Sequence, residues 1–198
     1  FVPPSRVHEA YSHVVYVNAA FYGEARQKMW IFSRIPARAG GGWHLALTDD
    51  DYWNRRGAAP AYSWPISSGK LYPNQSRAGP TPSGIFNIDE RSGRYRGGWG
   101  SPGMYKAIYI DLHYTSGRIS GVAMHGTTGG RYRYLGNPAS HGCIRVTQAN
   151  MDRLHATFHP GRLRREDSPL WGEVPRYFRS EPRDTLAART GYVRDGSL

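Results

Sequence analysis

Short stretches of alternating apolar and polar residues dominate the first two-thirds of the chain. His13–Val17, Lys28–Phe32 and Trp43–Leu47 are rich in β-branched and aromatic residues, which is typical of strands. Tyr62–Ser67 predicts a weaker strand, because Pro65 fits only at an edge or at a bulge. The pattern therefore favours strands and turns over long helices.

Three further segments continue the strand pattern towards the middle of the chain. They are Ile85–Ile88, Ala107–Tyr114 and Ile119–Met124, of which the last two are the clearest. The glycine-rich segment Ala39–Gly42 lies between two of the earlier strands and predicts a hairpin connection. Together these segments predict a mainly β protein.

The hydrophobic period changes from that of a strand to that of a helix after residue 146. Thr147 is the predicted N-cap, and Pro160 with Gly161 is expected to end the helix. One face of this helix is predicted to carry Met151, Leu154, His155 and Phe158. We therefore expect one or two short helices in a protein that is otherwise built from strands.

The length of the chain bounds its domain organisation. A chain of 198 residues suits one domain, or one domain with extensions. We predict a domain over 1–161, with an insert around 31–61, followed by a charged and proline-punctuated C-terminal extension over 162–198. The high counts of glycine (24) and proline (14) agree with a fold rich in turns.

The charge of the chain predicts an acidic partner. Lys and Arg number 26 against 15 Asp and Glu, which gives a net charge of +11. Nucleic acid, anionic lipid and an anionic polymer such as the cell wall all fit this charge. No segment has the roughly 18–20 consecutive apolar residues of a membrane span, so no transmembrane segment is expected. The start Phe1–Pro4 resembles a mature terminus rather than a signal peptide.

Two arginine- and glycine-rich runs with interspersed aromatic residues stand out in this basic chain. They cover Arg91–Trp99 and Gly130–Tyr134. Such runs can stack bases and neutralise phosphates, or they can form flexible basic loops. Because both runs flank the cysteine site described next, we favour a third interpretation, a rim that binds an acidic substrate.

The only cysteine of the chain, Cys143, lies in the segment Ser140–Arg145. A free thiol has a pKa of about 8.5, so a nucleophilic cysteine needs a nearby base. His125 lies 18 residues upstream at the end of a predicted strand, and His141 would share the face of the thiol on an extended chain. Both histidines are candidates for the base on these grounds.

One glycine and one arginine add to the chemistry predicted for this segment. Gly142 allows the main chain to approach a substrate closely, and its N–H with that of Cys143 would stabilise an oxyanion. Arg145, two residues beyond the thiol, would hold a carboxylate or serve as a structural ion-pair partner. The residues thus predict a cysteine nucleophile beside groups that can stabilise an oxyanion.

Four ordered motifs resemble the YkuD-type L,D-transpeptidases, which remodel bacterial peptidoglycan through a cysteine acyl-enzyme. His125–Thr127 is similar to the HG[TS] element of that family, and Ser140–Arg145 to its [ST]HGC element. Leu135–Ala139 resembles the approach to the cysteine. Upstream, Ser67–Lys70 is similar to an S[ST]GK turn and Thr81–Phe86 to a TPxGxF segment. The resemblance runs from about residue 11 to residue 158.

This resemblance implies roles for the residues at the site. Cys143 would be the nucleophile and His125 the base, with the backbone carbonyl of Gly126 orienting the imidazole. The amides of Gly142 and Cys143 would form the oxyanion hole. The resemblance thus favours one of the two histidines that the residues alone left open.

The same resemblance implies a set of residues that support or contact the substrate. Ser140 and His141 would shape the pocket, and Arg145 would support the loop or a substrate carboxylate. The family often has an aromatic residue lining the acyl pocket, and Tyr105 and Tyr109 are both candidates for it. We also weighed a zinc site, but no second cysteine or acidic residue lies close enough in sequence, so no metal and no cofactor are expected.

The fold implied is a YkuD-like β-sandwich, and the function is that of a peptidoglycan L,D-transpeptidase. The expected reaction releases D-alanine from a tetrapeptide stem and forms a 3–3, or alternatively a 1–3, cross-link. An L,D-carboxypeptidase or endopeptidase on the same scaffold and a basic cell-wall-binding module are the alternatives. Peptidoglycan stems are the expected partner rather than nucleic acid, on a monomer located outside the cytoplasm.

Overall fold

The computed structural model describes residues 11–49, 61–74, 79–84, 86–88, 92, 99–101, 103–112 and 118–160. Several sequence predictions fall outside these residues. They concern the terminus at 1–4, part of the insert at 50–60, the start of a strand at 85, most of the arginine-rich run at 91–98, the end of a strand at 113–114 and the extension at 162–198.

The first sheet is built around one central strand. β1 (His13–Asn18) pairs antiparallel with β2 (Lys28–Arg34) along its whole length. β3 (Trp43–Leu45) and β4 (Trp64–Pro65) both pair with β2 as well. These strands confirm the predicted ones, although β3 and β4 are shorter than expected. The β2–β3 connection is the predicted hairpin.

The second sheet has four strands in the order β5-β6-β7-β8. β5 (Trp99–Ser101), β6 (Met104–Tyr109) and β7 (Ala123–Gly126) pair antiparallel. β8 (Ile144–Val146), which the sequence pattern did not predict, pairs in parallel with β7. This parallel pair places the segment that contains His125 next to the segment that follows Cys143.

The predicted bounds of three strands in this region differ from the observed ones. β6 begins at Met104 instead of residue 107 and ends at Tyr109, because the N–H of Leu112 turns back to the carbonyl of Ile110 at 2.9 Å. β7 begins at Ala123 and continues past the predicted end at residue 124. Of the strand predicted over 85–88, the described part forms an isolated bridge between Ile88 and Ile110.

The helix α1 (Gln148–Phe158) confirms the predicted helix and its N-cap. The Thr147 hydroxyl accepts a hydrogen bond from the backbone N–H of Asn150 at 3.2 Å. The helix ends where His159 adopts the left-handed conformation, one residue before the predicted proline stop. Met151 and Leu154 are fully buried, as their predicted positions on one face require.

One hydrophobic core holds the two sheets and the helix together. Its members come from β1 and β2, from the β4 region, from the second sheet and from α1: Val17, Ala19, Met29, Ile31, Trp64, Ile66, Ile108, Met124, Ile144, Val146, Met151 and Leu154. The fold is thus mainly β, with few short helices. Among the described residues, no helix has both the length and the apolar character needed to span a membrane.

The second sheet presents its two faces to different surroundings. Ile108, Met124 and Ile144 project into the shared core. Because successive residues of a strand point to opposite faces, the neighbours His125 and Cys143 lie on the other face. The core packing of β7 and β8 therefore fixes which side of the sheet carries the candidate chemistry.

Candidate active site

The parallel pairing of β7 with β8 brings the two motifs into register. His125 is the partner of Arg145, and Met124 is the partner of Ile144. This register puts Cys143, which immediately precedes β8, beside Ala123 and diagonal to His125. Ala123, His125 and Cys143 share one face of the sheet, so the imidazole and the thiol lie on the same side of two adjacent strands.

The His125 imidazole is buried and held by the backbone. Its Nδ1 lies 3.0 Å from the carbonyl oxygen of Gly126. A carbonyl oxygen only accepts hydrogen bonds, so Nδ1 carries the hydrogen and Nε2 is left as an acceptor. Burial lowers the pKa of His125 to about 4, helped by the charges of Arg145 and Arg131 and opposed by the Gly126 hydrogen bond. The ring is therefore neutral at neutral pH.

Gly126 is required at its position by close packing. A Cβ atom there would lie 2.9 Å from Cδ1 of Tyr105 and 3.1 Å from Cα of Gln148. The carbonyl that orients His125 therefore depends on a residue without a side chain.

Cys143 is partly exposed, and its thiol faces a backbone carbonyl. Its Sγ lies 3.6 Å from the carbonyl oxygen of Gly121. Burial raises the pKa of the thiol, while the backbone of Ala123 and the charge of Arg145 act in the opposite direction. These shifts favour a neutral thiol and a neutral imidazole.

The loop that carries the cysteine is closed by the Ser140 side chain. The Ser140 hydroxyl donates to the carbonyl of Cys143 at 2.5 Å and accepts from the N–H of Gly142 at 3.1 Å. Gly142 has a φ of +127°, a conformation that L-residues with a side chain rarely adopt. The Gly142 N–H, predicted as part of an oxyanion hole, is thus engaged inside the loop in this structure.

The two upstream motifs pack directly onto this loop. A Cβ atom on Gly69 would lie 2.8 Å from both Cα and N of Gly142 and 2.2 Å from the carbonyl oxygen of Gly79. The Thr81 hydroxyl accepts from the N–H of Gly69 and donates to the carbonyl of Gly142, each at 2.9 Å. Residues 67–70 and 81–84, which are far from Gly142 in sequence, therefore hold the cysteine loop in shape.

The family model for the YkuD L,D-transpeptidase catalytic domain matches residues 46–165, more than half of the chain. This protein belongs to the YkuD family. Comparisons with curated proteins and with solved structures gave no match. The matched region begins after β1 and β2, yet Val17, Met29 and Ile31 from those strands belong to the same core as the motif-bearing strands.

His141 occupies a different position from His125 relative to the thiol. Its exposed ring stacks on Tyr72 with centroids 4.3 Å apart and planes 8° apart. A shared face with the thiol requires an extended chain between His141 and Cys143, but Gly142 has a positive φ and interrupts the extended conformation. In this YkuD domain His141 and Tyr72 form a stacked pair at the surface of the cysteine loop.

Arg145 is anchored by the loop rather than by a carboxylate. Its Nη1 donates to the carbonyl of Ala139 at 3.1 Å, and its backbone exchanges two 3.0 Å hydrogen bonds with Ser67. Within the described part of the chain, no group of three or more His, Cys, Asp or Glu side chains is arranged to hold a metal.

Of the two tyrosines considered for the acyl pocket, Tyr109 lies on the same sheet face as the thiol. It is the register partner of Ala123 and packs with Ala107 and Ala123 in a small buried cluster. Tyr105 instead covers Gly126 and donates its hydroxyl to Asp152 at 2.9 Å. The two rings thus contact different parts of the site.

Gln27 is a structural element of the site that the sequence analysis missed. This fully buried side chain donates from Nε2 to Ser68 Oγ and to the carbonyls of Ala19 and Ala20. Its Oε1 accepts a hydrogen bond from the Ser68 N–H. The carbonyl oxygen of Ser68 in turn accepts hydrogen bonds from the backbone N–H groups of Ala139 and Ser140. A polar residue between Arg26 and Lys28 gives no sequence signal for burial, so only the fold identifies it.

Proposed function

We propose that this YkuD protein is a peptidoglycan L,D-transpeptidase that works through an acyl-enzyme on Cys143. The single observation that carries the proposal is the placement of Cys143 beside the strand that bears His125, whose Nδ1 is held by the Gly126 carbonyl. With Nδ1 held as the donor to this carbonyl, Nε2 is the ring nitrogen that can accept a proton. It supplies the base that a neutral cysteine requires.

In the first half-reaction the Cys143 sulfur attacks the carbonyl carbon of the third residue of a tetrapeptide stem. The thiol proton passes to Nε2 of His125, and a tetrahedral oxyanion forms. Collapse of this intermediate breaks the C–N bond, and the imidazolium gives its proton to the departing amine of D-alanine. A thioester between Cys143 and the stem remains, and the imidazole is neutral again.

In the second half-reaction an amine of a neighbouring stem attacks the thioester. Neutral His125 accepts the amine proton, the C–S bond breaks, and the Cys143 sulfur recovers a proton from the imidazolium. The product is a 3–3 cross-link when the amine belongs to the third residue of the acceptor, or a 1–3 cross-link when it belongs to the first. The step consumes no cofactor.

The low pKa of His125 favours protonation of the leaving amine, because it makes the imidazolium a stronger acid and the neutral imidazole a weaker base. An imidazolium whose pKa lies near 4 is a strong acid, so it readily protonates the leaving amine. The amide of Cys143 is the proposed donor to the oxyanion. The amide of Gly142 joins it once substrate replaces the Ser140 hydroxyl as its acceptor, a contribution of about 3 kcal/mol for such a donor.

Peptidoglycan as substrate implies that the protein works outside the cytoplasm, which we propose on the grounds of function. The net charge of +11 agrees with a polymer that carries acidic peptide stems.

The proposal is tested by incubating the protein with purified disaccharide-tetrapeptide and following the products by mass spectrometry. Cross-linked dimers that have lost one D-alanine, together with a stem-sized mass increase on the protein, are the expected result. The Cys143→Ala variant should give neither. Tripeptide without dimers would replace the transpeptidase with an L,D-carboxypeptidase, and an unchanged substrate would contradict the proposal.

A further inference from the structure

A polar cavity of about 390 Å³ opens next to the cysteine loop. We call it the basic pocket, after the residues that line it: Lys70, Gly130, Arg131, Arg133, Tyr134, Ala139 and Arg145. Cys143 is not among these residues, so the pocket adjoins the proposed nucleophile without containing it. Its volume falls at the small end of ligand-binding sites.

The basic pocket carries four cations and no acidic lining residue. Among the residues that the structure describes, none of the four has a carboxylate within ion-pair distance; the described ion pair joins Lys106 to Asp152 elsewhere on the surface. Like charges that converge on one cavity repel each other unless an anion enters it. The pocket is therefore complementary to a negative group.

Two of the arginines are fixed in place before any ligand binds. Arg145 donates from Nη1 to the Ala139 carbonyl at 3.1 Å, which leaves its other N–H groups for a ligand. Arg133 donates from Nη2 to the Tyr134 hydroxyl at 3.0 Å and lies 5.0 Å from the centroid of that ring. Guanidinium groups held in this way lose less freedom on binding than free side chains do.

Arg145 is half-buried, and an anion in the pocket would stabilise its charge. Burial lowers the pKa of its guanidinium, and the charge of Arg131 acts in the same direction. A carboxylate between Arg145 and Arg131 would cancel the repulsion between their charges and offset the cost of burying Arg145. Planar guanidinium groups bind carboxylates with two parallel hydrogen bonds.

The basic pocket lies close to the proposed nucleophile along the chain. Arg145, which lines the pocket, is two residues beyond Cys143, and two residues of extended chain span roughly 6.5 Å. A stem bound at Cys143 would therefore have neighbouring residues within reach of this side chain. Charged groups of the substrate backbone and side chains fall within this reach.

We propose that the basic pocket is a subsite for a free carboxylate of the peptide stem, so that the protein selects acidic stems over their amidated forms. The inference rests on the proposed function for the identity of the stem, but its binding step is independent of the chemistry. Arg131 and Arg133 are exposed, so both can be substituted at small cost to the fold, whereas Arg145 is half-buried and contacts the cysteine loop.

The test measures binding to the Cys143→Ala protein by calorimetry, which removes turnover from the readout. The probes are a tetrapeptide stem with free carboxylates at its acidic residues and the same stem with those groups converted to carboxamides. The free-acid stem should bind about 10- to 100-fold more tightly, as expected for charge-assisted hydrogen bonds. Stems amidated at one residue each then locate the carboxylate.

Two further variants assign this preference to the pocket. Arg131→Gln with Arg133→Gln should reduce binding of the free-acid stem at least tenfold and leave the amidated stem unchanged. The matched control is Arg26→Gln with Arg38→Gln, because these two exposed arginines lie outside the pocket and their substitution removes the same charge; this variant should retain the preference.

Equal affinity for the two stems, or a preference that survives the double substitution, would overturn the subsite. So would binding of a single-stranded oligonucleotide in place of either stem. The proposed function is read separately, from the mass of the acyl-enzyme formed by the wild-type protein. Preference for the free-acid stem without acylation would support the subsite and contradict the transpeptidase. Acylation by both stems at equal rates and with equal affinities would support the transpeptidase and contradict the subsite.

Discussion

Nδ1 of His125 lies 3.0 Å from the carbonyl oxygen of Gly126, the residue that follows it in β7. A backbone carbonyl thus takes the orienting position that a carboxylate holds in a serine protease triad. It fixes the tautomer without supplying a full negative charge. Burial therefore lowers the pKa of the ring more than the Gly126 hydrogen bond raises it.

The acid limb of the activity profile should lie far below the usual range of histidine. As pH falls through about 4, His125 becomes protonated and loses the ability to accept the thiol proton. We expect kcat/KM for cross-linking to stay near its maximum at pH 6 and to fall tenfold per pH unit below about 4. An acid limb near 6.5 would contradict the buried, neutral imidazole.

The reactivity of the thiol in the free protein should resemble that of an unactivated cysteine. Because burial raises the pKa of Cys143, the rate of alkylation by iodoacetamide should keep rising with pH beyond the ordinary thiol range of about 8.5. Cys143 is the only cysteine, so whole-protein mass reports the reaction directly. A rate plateau between pH 5 and 7 would instead reveal a resting thiolate–imidazolium pair.

Protonation of His125 should also couple to stability. The folded-state pKa is lowered to about 4 from an ordinary 6.5, so the unfolded chain binds a proton more readily between these values. The contribution of neutral His125 to the free energy of unfolding should therefore be fully present above pH 6.5. The free energy of unfolding should decrease by about 3 kcal/mol as pH falls to 4. Urea unfolding at several pH values measures this loss. In His125→Asn, which does not titrate, the loss should be smaller by that amount.

Gly69→Ala should disrupt the cysteine loop. The added methyl group would overlap the Gly79 carbonyl and the Gly142 backbone, which cannot move aside as a flexible side chain can. We expect at least a tenfold loss of transpeptidation, together with a thermal midpoint lowered by several degrees. Gly129→Ala provides the matched control, because a Cβ at Gly129 meets no atom within 4 Å. Normal activity in Gly69→Ala would show that the loop tolerates the displacement.

Gln27→Glu should destabilise the fold although the two side chains have nearly the same shape. The substitution keeps an acceptor for the Ser68 N–H but replaces the donor that contacts the carbonyls of Ala19 and Ala20. A buried carboxyl group facing two carbonyls should cost at least about 2 kcal/mol in the free energy of unfolding. Chemical denaturation compares it with Lys28→Gln, a neighbouring substitution that leaves Gln27 intact.

The sequence by itself determined the local features of this protein. Alternation of apolar residues was sufficient for β1 and β2, and a threonine ahead of an amphipathic stretch was sufficient for the start of α1, because these signals act between residues close in the chain. The motifs around His125 and Cys143 likewise predicted a nucleophile and a base, and they identified the family.

Only the tertiary structure decided how these pieces meet. β8 has three residues and no periodicity of its own, and it exists because β7 is available as a parallel partner. The positive φ of Gly142, the burial of Gln27 and the convergence of Lys70 with Arg145 all result from contacts between distant segments. Such contacts depend on the packing of both sheets on one core, and no local pattern encodes it.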